Sequence, residues 1–351
     1  MSAEPLLAVR DLHVRYRSRR RIVEAVRGAS VEVARGETVG LVGESGSGKT
    51  TLARAVLGLV PVAGGTIELA GRDITAASGA ERRAVARRIQ AVFQDPYSSL
   101  NPALRVGATL GEPFRAALGG SAAEARERAA SLLERVGLDP AAAARYPSSF
   151  SGGQRQRIAI ARALMASPEL VICDEAVSAL DLSVQAQVLN LLRSLQREFE
   201  LSYLFISHDL DVVRYMSHRL VVLYRGRVME QGPADAVARR PRHPYTQALL
   251  AAKPGRRRPG EPAPARARSD VSTPAAGCPF TPRCPYAIAR CASETPELRE
   301  ARDGGAVACH RFEEVPALIA PAVTRRPARM AKRAPSRAAV RTKVNQEEQH
   351  R

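Results

Sequence analysis

Tryptophan is absent from the chain and aromatic residues make up only 4% of it. That argues against an aromatic-rich β sandwich and for an α/β protein. No run of about 18 apolar residues occurs anywhere, which excludes a membrane-spanning helix. The opening MSAEPLLAVRDLHV lacks the basic-then-apolar layout of a signal peptide, so the expectation is a soluble, cytoplasmic chain. Nothing over most of the length has the composition of a disordered polypeptide. With 351 residues, 45% of them hydrophobic, the chain can bury a sizeable core and, on length alone, about two domains.

What is present in excess is positive charge. The net charge of +18 invites a nucleic-acid reading, but 20 basic and 10 acidic residues fall from Lys253 onward, so more than half the excess is in the last 99 positions. The segment from Pro321 to Arg351 is rich in Pro, Ala and Arg with few large apolar residues, a composition that cannot pack a core. It reads as a solvated basic tail, or as a contact for anionic lipid or RNA.

Short apolar runs alternate with turns between Leu7 and Leu69 and predict a β-rich opening that leads into a strand, a loop and the helix KTTLARAVLGL. Further strands are expected at RIQAVFQ, ELVICDE, SYLFISH and RLVVLYRGRVME, with helical stretches such as SVQAQVLNLLRSLQREF between them. This alternation predicts a mostly parallel sheet flanked by helices. Residues from about 106 to 150 form a polar, Ala-rich helical insert. Past Lys253 a Pro- and Arg-rich linker precedes a short Cys-containing module.

GESGSGKT, Gly43 to Thr50, fits the phosphate-loop pattern in its required context, after the apolar run TVGLV and before a helix. Gly43, Gly46 and Gly48 let the backbone turn tightly, and Ser45 and its neighbours point N–H groups at phosphate oxygens. Lys49 supplies charge to the β- and γ-phosphates, and the Thr50 hydroxyl reaches Mg²⁺, with Thr51 following. ELVICDE supplies a second half. Asp174 at a strand end can hold the magnesium shell, and Glu175 can orient or deprotonate the attacking water. His208, in FISHD, ends another strand as a candidate donor to the γ-phosphate. FSGGQ, Phe150 to Gln154, also opens a helix like a phosphate site, yet no lysine follows its glycines.

Together these motifs, from about Leu7 to Leu250, closely resemble the ATP-binding subunits of ABC transporters. The resemblance implies the ABC-type P-loop NTPase fold: a mostly parallel core sheet, an antiparallel β subdomain and a helical insert. FSGGQ then matches the family signature, so Ser151 and Gly153 are expected to touch ATP held by a second subunit's phosphate loop. By the same likeness Gln94, in VFQDP, is the Q-loop glutamine that reports the Mg²⁺ site to the membrane subunits. Asp181, in SALD, is the D-loop residue, and Tyr16 is placed like the aromatic that stacks on adenine. No motif expected of a hydrolysis-competent subunit is absent.

FQDPYSSLNP, DEAVSALDLSVQAQVLNLL and RHPYTQALL narrow the likeness to the ATPases of oligopeptide and dipeptide importers, a group that includes nickel and glutathione systems. The likeness divides the chain into a nucleotide-binding domain at 1–252, a C-terminal extension at 253–320 and the tail at 321–351. It implies ATP and Mg²⁺, a second ATPase subunit (a paralogue is expected), two transmembrane permeases, an extracytoplasmic binding protein and a place on the cytoplasmic face of the membrane. No specific nucleic acid is expected. A ribosome- or nucleic-acid-associated ABC ATPase is the alternative of a different class, but the chain has one cassette and no heptad array. An exporter would keep the same chemistry with other partners.

Four of the five cysteines, Cys278, Cys284, Cys291 and Cys309, are separated by five, six and seventeen residues. A disulfide framework is unexpected in a reducing compartment, and the spacing is not the paired pattern of zinc fingers. Some members of the resembling group carry a [4Fe–4S] cluster at such cysteines, which makes a cluster the leading expectation. Zinc, with His310, and free thiols remain open. Cys173, in an apolar strand, is expected to be a buried small residue.

Overall fold

The computed structural model describes residues 4–18, 21–95, 99–252, 276–301 and 304–316. The expected linker after Lys253 and the expected tail lie outside these residues, as do positions 96–98 of the Gln94 segment. All the described residues fall within one compact unit, Met1–Ala320.

The chain opens with β1 (Leu7–Ser18) and β2 (Arg21–Val33), an antiparallel pair. They build a four-stranded sheet with β4 (Gly64–Leu69) and β5 (Arg72–Asp73), in the order β2-β1-β4-β5. Between β2 and β4 the chain enters the second sheet through β3 (Thr38–Val42), all five residues of which are buried, and leaves through α1 (Lys49–Val56). After α2 (Gly79–Arg88) and β6 (Ile89–Phe93) comes the helical insert. It comprises α3 (Val106–Leu118), α4 (Ala122–Arg135) and two short 3-10 turns at Pro140–Ala144 and Pro147–Ser149. A reciprocal cap between Ser121 and Glu124 fixes the start of α4, satisfying two backbone donors that the helix leaves open.

The remaining elements alternate. They are α5 (Gly152–Leu164), β7 (Leu170–Asp174), α6 (Leu182–Phe199), β8 (Ser202–Ser207), α7 (Leu210–Met216) and β9 (Arg219–Tyr224). β10 (Arg227–Pro233) is followed by α8 (Ala234–Arg239) and α9 (Pro244–Ala251). The C-terminal module holds α10 (Ala289–Ser293), β11 (Arg299–Ala301) and β12 (Gly305–Val307). The second sheet has the order β11-β12-β10-β9-β3-β8-β7-β6. Strands β9, β3, β8, β7 and β6 run parallel. Helices cover a parallel sheet on both faces, so its strands read as continuous apolar runs. LVICD and SYLFIS are buried at every position.

This is the expected α/β architecture, with two differences. RLVVLYRGRVME, read as one strand, is a hairpin that turns at Arg225 and Gly226, both at positive φ (46° and 82°). Adjacent left-handed residues make the tight turn whose twist matches antiparallel strands, and an apolar run gives no sign of it when the first turn residue is Arg. The Cys-containing module is also not a separate appendage. Its β12 pairs with β10, extending the core sheet by two strands. Cys173 is fully buried, as expected, and burial pushes its thiol up to about 12.

Candidate nucleotide site

The candidate residues gather at the C-terminal ends of the parallel strands, where loops of an open α/β sheet form ligand crevices. The phosphate loop runs from the end of β3 into α1. Gly48 caps α1 with φ of 105°, and a Cβ there would lie 2.5 Å from the Ala25 carbonyl oxygen. Left-handed backbone and lack of space both demand glycine. The loop is pinned from outside by Gly226, whose N–H donates to Ser47 O at 2.8 Å. Gly48→Ala is therefore expected to destabilise the fold by about 1–3 kcal/mol and to weaken nucleotide binding. Thermal melting and a nucleotide titration read the two effects.

Lys49 is buried and its ammonium donates to Gly43 O (2.8 Å) and Glu44 O (2.9 Å), which hold it along the loop. Burial pulls its pKa down, while Glu175, Asp174 and Glu44 act in the opposite direction. It is the only lysine before residue 253. Elsewhere in that span basic positions use arginine, but a compact ammonium fits between two carbonyls where a planar guanidinium does not.

Thr50 Oγ1 donates to Asp174 Oδ1 at 3.2 Å, joining the loop to the end of β7. Burial pushes the Asp174 carboxyl up, opposed by the Thr50 hydroxyl and reinforced by Glu175. A hydroxyl and a carboxylate side by side are the hard oxygen donors that suit Mg²⁺. Glu175 follows with φ of 51°, its N–H donating to Ile206 O at 2.9 Å. Such a left-handed conformation is costly for a non-glycine residue and is held by its surroundings. Here it turns the carboxylate so that Oε1 lies 3.4 Å from His208 Nδ1.

Gln94 is exposed and lies one residue past the Phe93–Asp174 register pair, which puts it beside the acidic strand end. Tyr16, 39% exposed on β1, has its hydroxyl 3.4 Å from Thr51 Oγ1. The structure thus brings Tyr16, the phosphate loop, Gln94, Asp174, Glu175 and His208 to one region.

It does not bring the signature there. Ser151 caps α5 reciprocally with Gln154, and the first turn of α5 has no acidic side chain. Gly153 lies against α6, where a Cβ would meet Val184 Cγ1 at 2.4 Å. Among the described residues no hydrogen bond joins Ser151 or Gly153 to the phosphate loop. Asp181 caps α6, accepting from Ser183 N (3.1 Å) and Val184 N (2.9 Å), and hydrogen bonding to Ser183 holds its carboxyl low. A groove of about 710 Å³ at the opposite ends of the strands, lined by Arg35, Arg128, Glu169 and His218 among others, contains none of these residues.

The four module cysteines, Cys278, Cys284, Cys291 and Cys309, do line one cavity, together with His243 and His310. Yet among the described residues no group of three or more His, Cys, Asp or Glu is drawn together as a metal ion requires. The expectation of a cluster or a zinc ion there is thus unsupported by this arrangement. Burial pushes the thiols of Cys278, Cys284 and Cys309 up, which favours the protonated form.

Sequence reasoning missed a set of contacts on Glu44. Its carboxylate takes both Nη atoms of Arg283 (2.9 and 3.0 Å), and its N–H donates to the Tyr245 hydroxyl at 2.8 Å. Arg283 carried no signal, since 239 positions separate it from Glu44. Tyr245 belongs to RHPYTQALL, read only as a mark of the branch.

Comparison with known proteins agrees with this geometry. The ABC transporter family matches residues 26–178, and the oligopeptide/dipeptide transporter C-terminal region matches residues 229–291. A probable peptide ABC transporter ATP-binding protein of Sinorhizobium fredii is 50% identical over 298 residues, covering 82% of this chain and 83% of its own. A putative peptide import ATP-binding protein of Brucella ovis is 48% identical over 314 residues, covering 89% and 99%. The di/tripeptide transport ATP-binding protein DppF of Pseudomonas aeruginosa is 45% identical over 320 residues, covering 89% and 99%. Among solved structures, the ATP-binding cassette MJ0796, dimeric in a post-hydrolysis state with ADP and Pi, superposes with a TM-score of 0.60 at 28% identity. That match covers 65% of this chain and 98% of the other. With a phosphate loop, an acidic strand end and a signature helix on one cassette, and relatives near half identity over most of its length, the chain belongs to the ABC transporter ATP-binding family, in the branch that carries the oligopeptide/dipeptide transporter C-terminal region.

Proposed function

We propose that this chain is the ATP-hydrolysing subunit that energises an ABC importer for oligopeptides or dipeptides. The observation that carries the reading is the convergence of Lys49, Thr50, Asp174, Glu175 and His208 at the ends of three adjacent strands. Lys49 and the loop N–H groups bind the β- and γ-phosphates of ATP. Thr50, Asp174 and Gln94 are the residues to hold Mg²⁺, which when bound neutralises charge on the transferred phosphoryl group. Glu175 orients and deprotonates the attacking water, and His208 donates to the γ-phosphate. Tyr16 stacks on the adenine.

Ser151 and Gly153 face ATP on a second ATPase subunit, with Asp181 at the same interface. The lack, among the described residues, of any hydrogen bond between the signature and this chain's own phosphate loop supports that assignment. In this reading the partner is a paralogue, and the pair drives two permeases supplied by an extracytoplasmic binding protein. Among the described residues no helix is long and apolar enough to cross a membrane, so separate permeases would place the chain at the cytoplasmic face of the bilayer. The test is a mild-detergent pull-down of the tagged chain from its native membranes with mass spectrometry. Two polytopic permeases and a second ATPase are expected. Ribosomal proteins or nucleic acid without a permease would overturn the reading.

The spacing of the four cysteines in the sequence, rather than their placement in the fold, is what supports one further reading of the module, a structural [4Fe–4S] centre. Iron analysis and visible absorption of anaerobically purified protein test it, and iron-free, colourless protein would sink it.

A further inference from the structure

Glu44 uses every polar group it has. Its carbonyl accepts from Lys49, its N–H donates to Tyr245, and its carboxylate takes the Arg283 fork in a bidentate pair. One residue of the phosphate loop is thus bonded on one side to the lysine that meets phosphate and on the other to the C-terminal module. Solvent-exposed ion pairs contribute little because water screens them. This pair is sheltered on the arginine side only, since the Glu44 side chain is 40% exposed. The Arg283 side chain is 19% exposed and its guanidinium lies over the rings of Tyr224 (5.9 Å) and Phe280 (5.4 Å). Tyr245 is fully buried, with ring centroids 4.4 Å from Tyr224 and 5.5 Å from Phe280. A bidentate, ring-stacked guanidinium has one preferred geometry, so it fixes direction as well as charge.

Arg283 is itself set by the cysteine turn. Its N–H donates to Phe280 O, and Thr281 between them donates through its N–H to Cys278 O and through its hydroxyl to Cys291 O. Phe280 lines the cavity that the four cysteines share. The path from that cavity to Lys49 therefore runs through Phe280, Arg283 and Glu44, all in direct contact.

We infer that the C-terminal module is a clamp on the phosphate loop, in which Arg283 and Tyr245 are positioning residues for ATP binding and the cysteine turn sets the clamp. The inference rests on Lys49 being the phosphate-binding lysine. Coupling free energies are reciprocal. A module that raises nucleotide affinity must itself be steadied by nucleotide, and displacing the cysteine turn must loosen the loop.

The test uses the full chain and its Arg283→Ala and Arg283→Lys variants, with ATP affinity, KM, kcat and hydrogen exchange measured on each. Arg283→Ala is expected to weaken ATP binding by roughly 5- to 50-fold, raising KM while kcat at saturating ATP stays near the original. Arg283→Lys, which keeps charge but not the fork, should fall between. In the unaltered chain Mg·ATP should slow amide exchange in residues 278–291, and in Arg283→Ala that protection should vanish. Glu44→Gln attacks the pair from the other side and keeps the test open if Arg283→Ala folds poorly. Its loss of affinity should match, and the double variant should lose no more than either. Unchanged affinity in both single variants, or nucleotide protection that persists without Arg283, would overturn the clamp. If instead Lys49→Ala binds ATP as well as the original chain, the failure belongs to the phosphate-loop reading.

Discussion

Glu175→Gln is expected to reduce ATP turnover by roughly 10²- to 10⁴-fold, the range a general base contributes, while nucleotide affinity is retained. The substitution keeps size and removes only the charge and proton-accepting capacity. Because φ at residue 175 is 51°, a side chain of the same shape matters, since any replacement must occupy the same strained backbone. Asp174 and Thr50 are untouched, so the hydroxyl–carboxylate pair at 3.2 Å persists. In the proposed two-subunit assembly, bound ATP would then hold the pair closed without resetting it. Single-turnover hydrolysis and nucleotide titration on the same sample check this. Hydrolysis near the original rate would remove Glu175 from the base role and leave it an orienting residue for His208.

Lys49→Ala is expected to lose affinity for ATP by roughly 10- to 100-fold, corresponding to a charge-assisted contact worth about 1.5–3 kcal/mol, and turnover falls with it. Two effects add. The phosphates lose a buried cation, and the Gly43 and Glu44 carbonyls lose the donor that now lies 2.8 and 2.9 Å from them. The loop therefore loses shape as well as charge, and Lys49→Arg should not rescue it, because a guanidinium is too broad for the same position. Isothermal titration and steady-state hydrolysis separate this variant from Glu175→Gln. One loses binding, the other only chemistry.

The candidate nucleotide site is legible in the sequence because its parts are local. A glycine-rich loop after an apolar strand, and two acids ending another, are short motifs whose side chains are positioned by the element they terminate. The contact between Thr50 and Asp174 spans 124 positions, but each partner was identifiable from its own neighbourhood. Arg283 was not. Its neighbours are cysteines and prolines, and nothing in them speaks of a loop at residue 44. The hairpin at Arg225 and Gly226 is not legible in the apolar pattern, because positive φ at an arginine leaves no compositional trace. The cysteines, conversely, promised more than the fold delivers. Their spacing suggested a ligand set, whereas the structure gives a shared cavity without one.

The sequence by itself determined the α/β class, the phosphate loop, the acidic strand end and the branch of the family. Each depends on apolar periodicity or on residues adjacent in the chain. The tertiary structure decided that the C-terminal module joins the core sheet through β12 and that Arg283 grips Glu44. Among the described residues it also gave the signature serine, Ser151, a cap on its own helix and no hydrogen bond to the phosphate loop. Long-range pairing of this kind follows from strand edges and buried rings that meet only after folding, and no local pattern encodes which edge or which ring will meet.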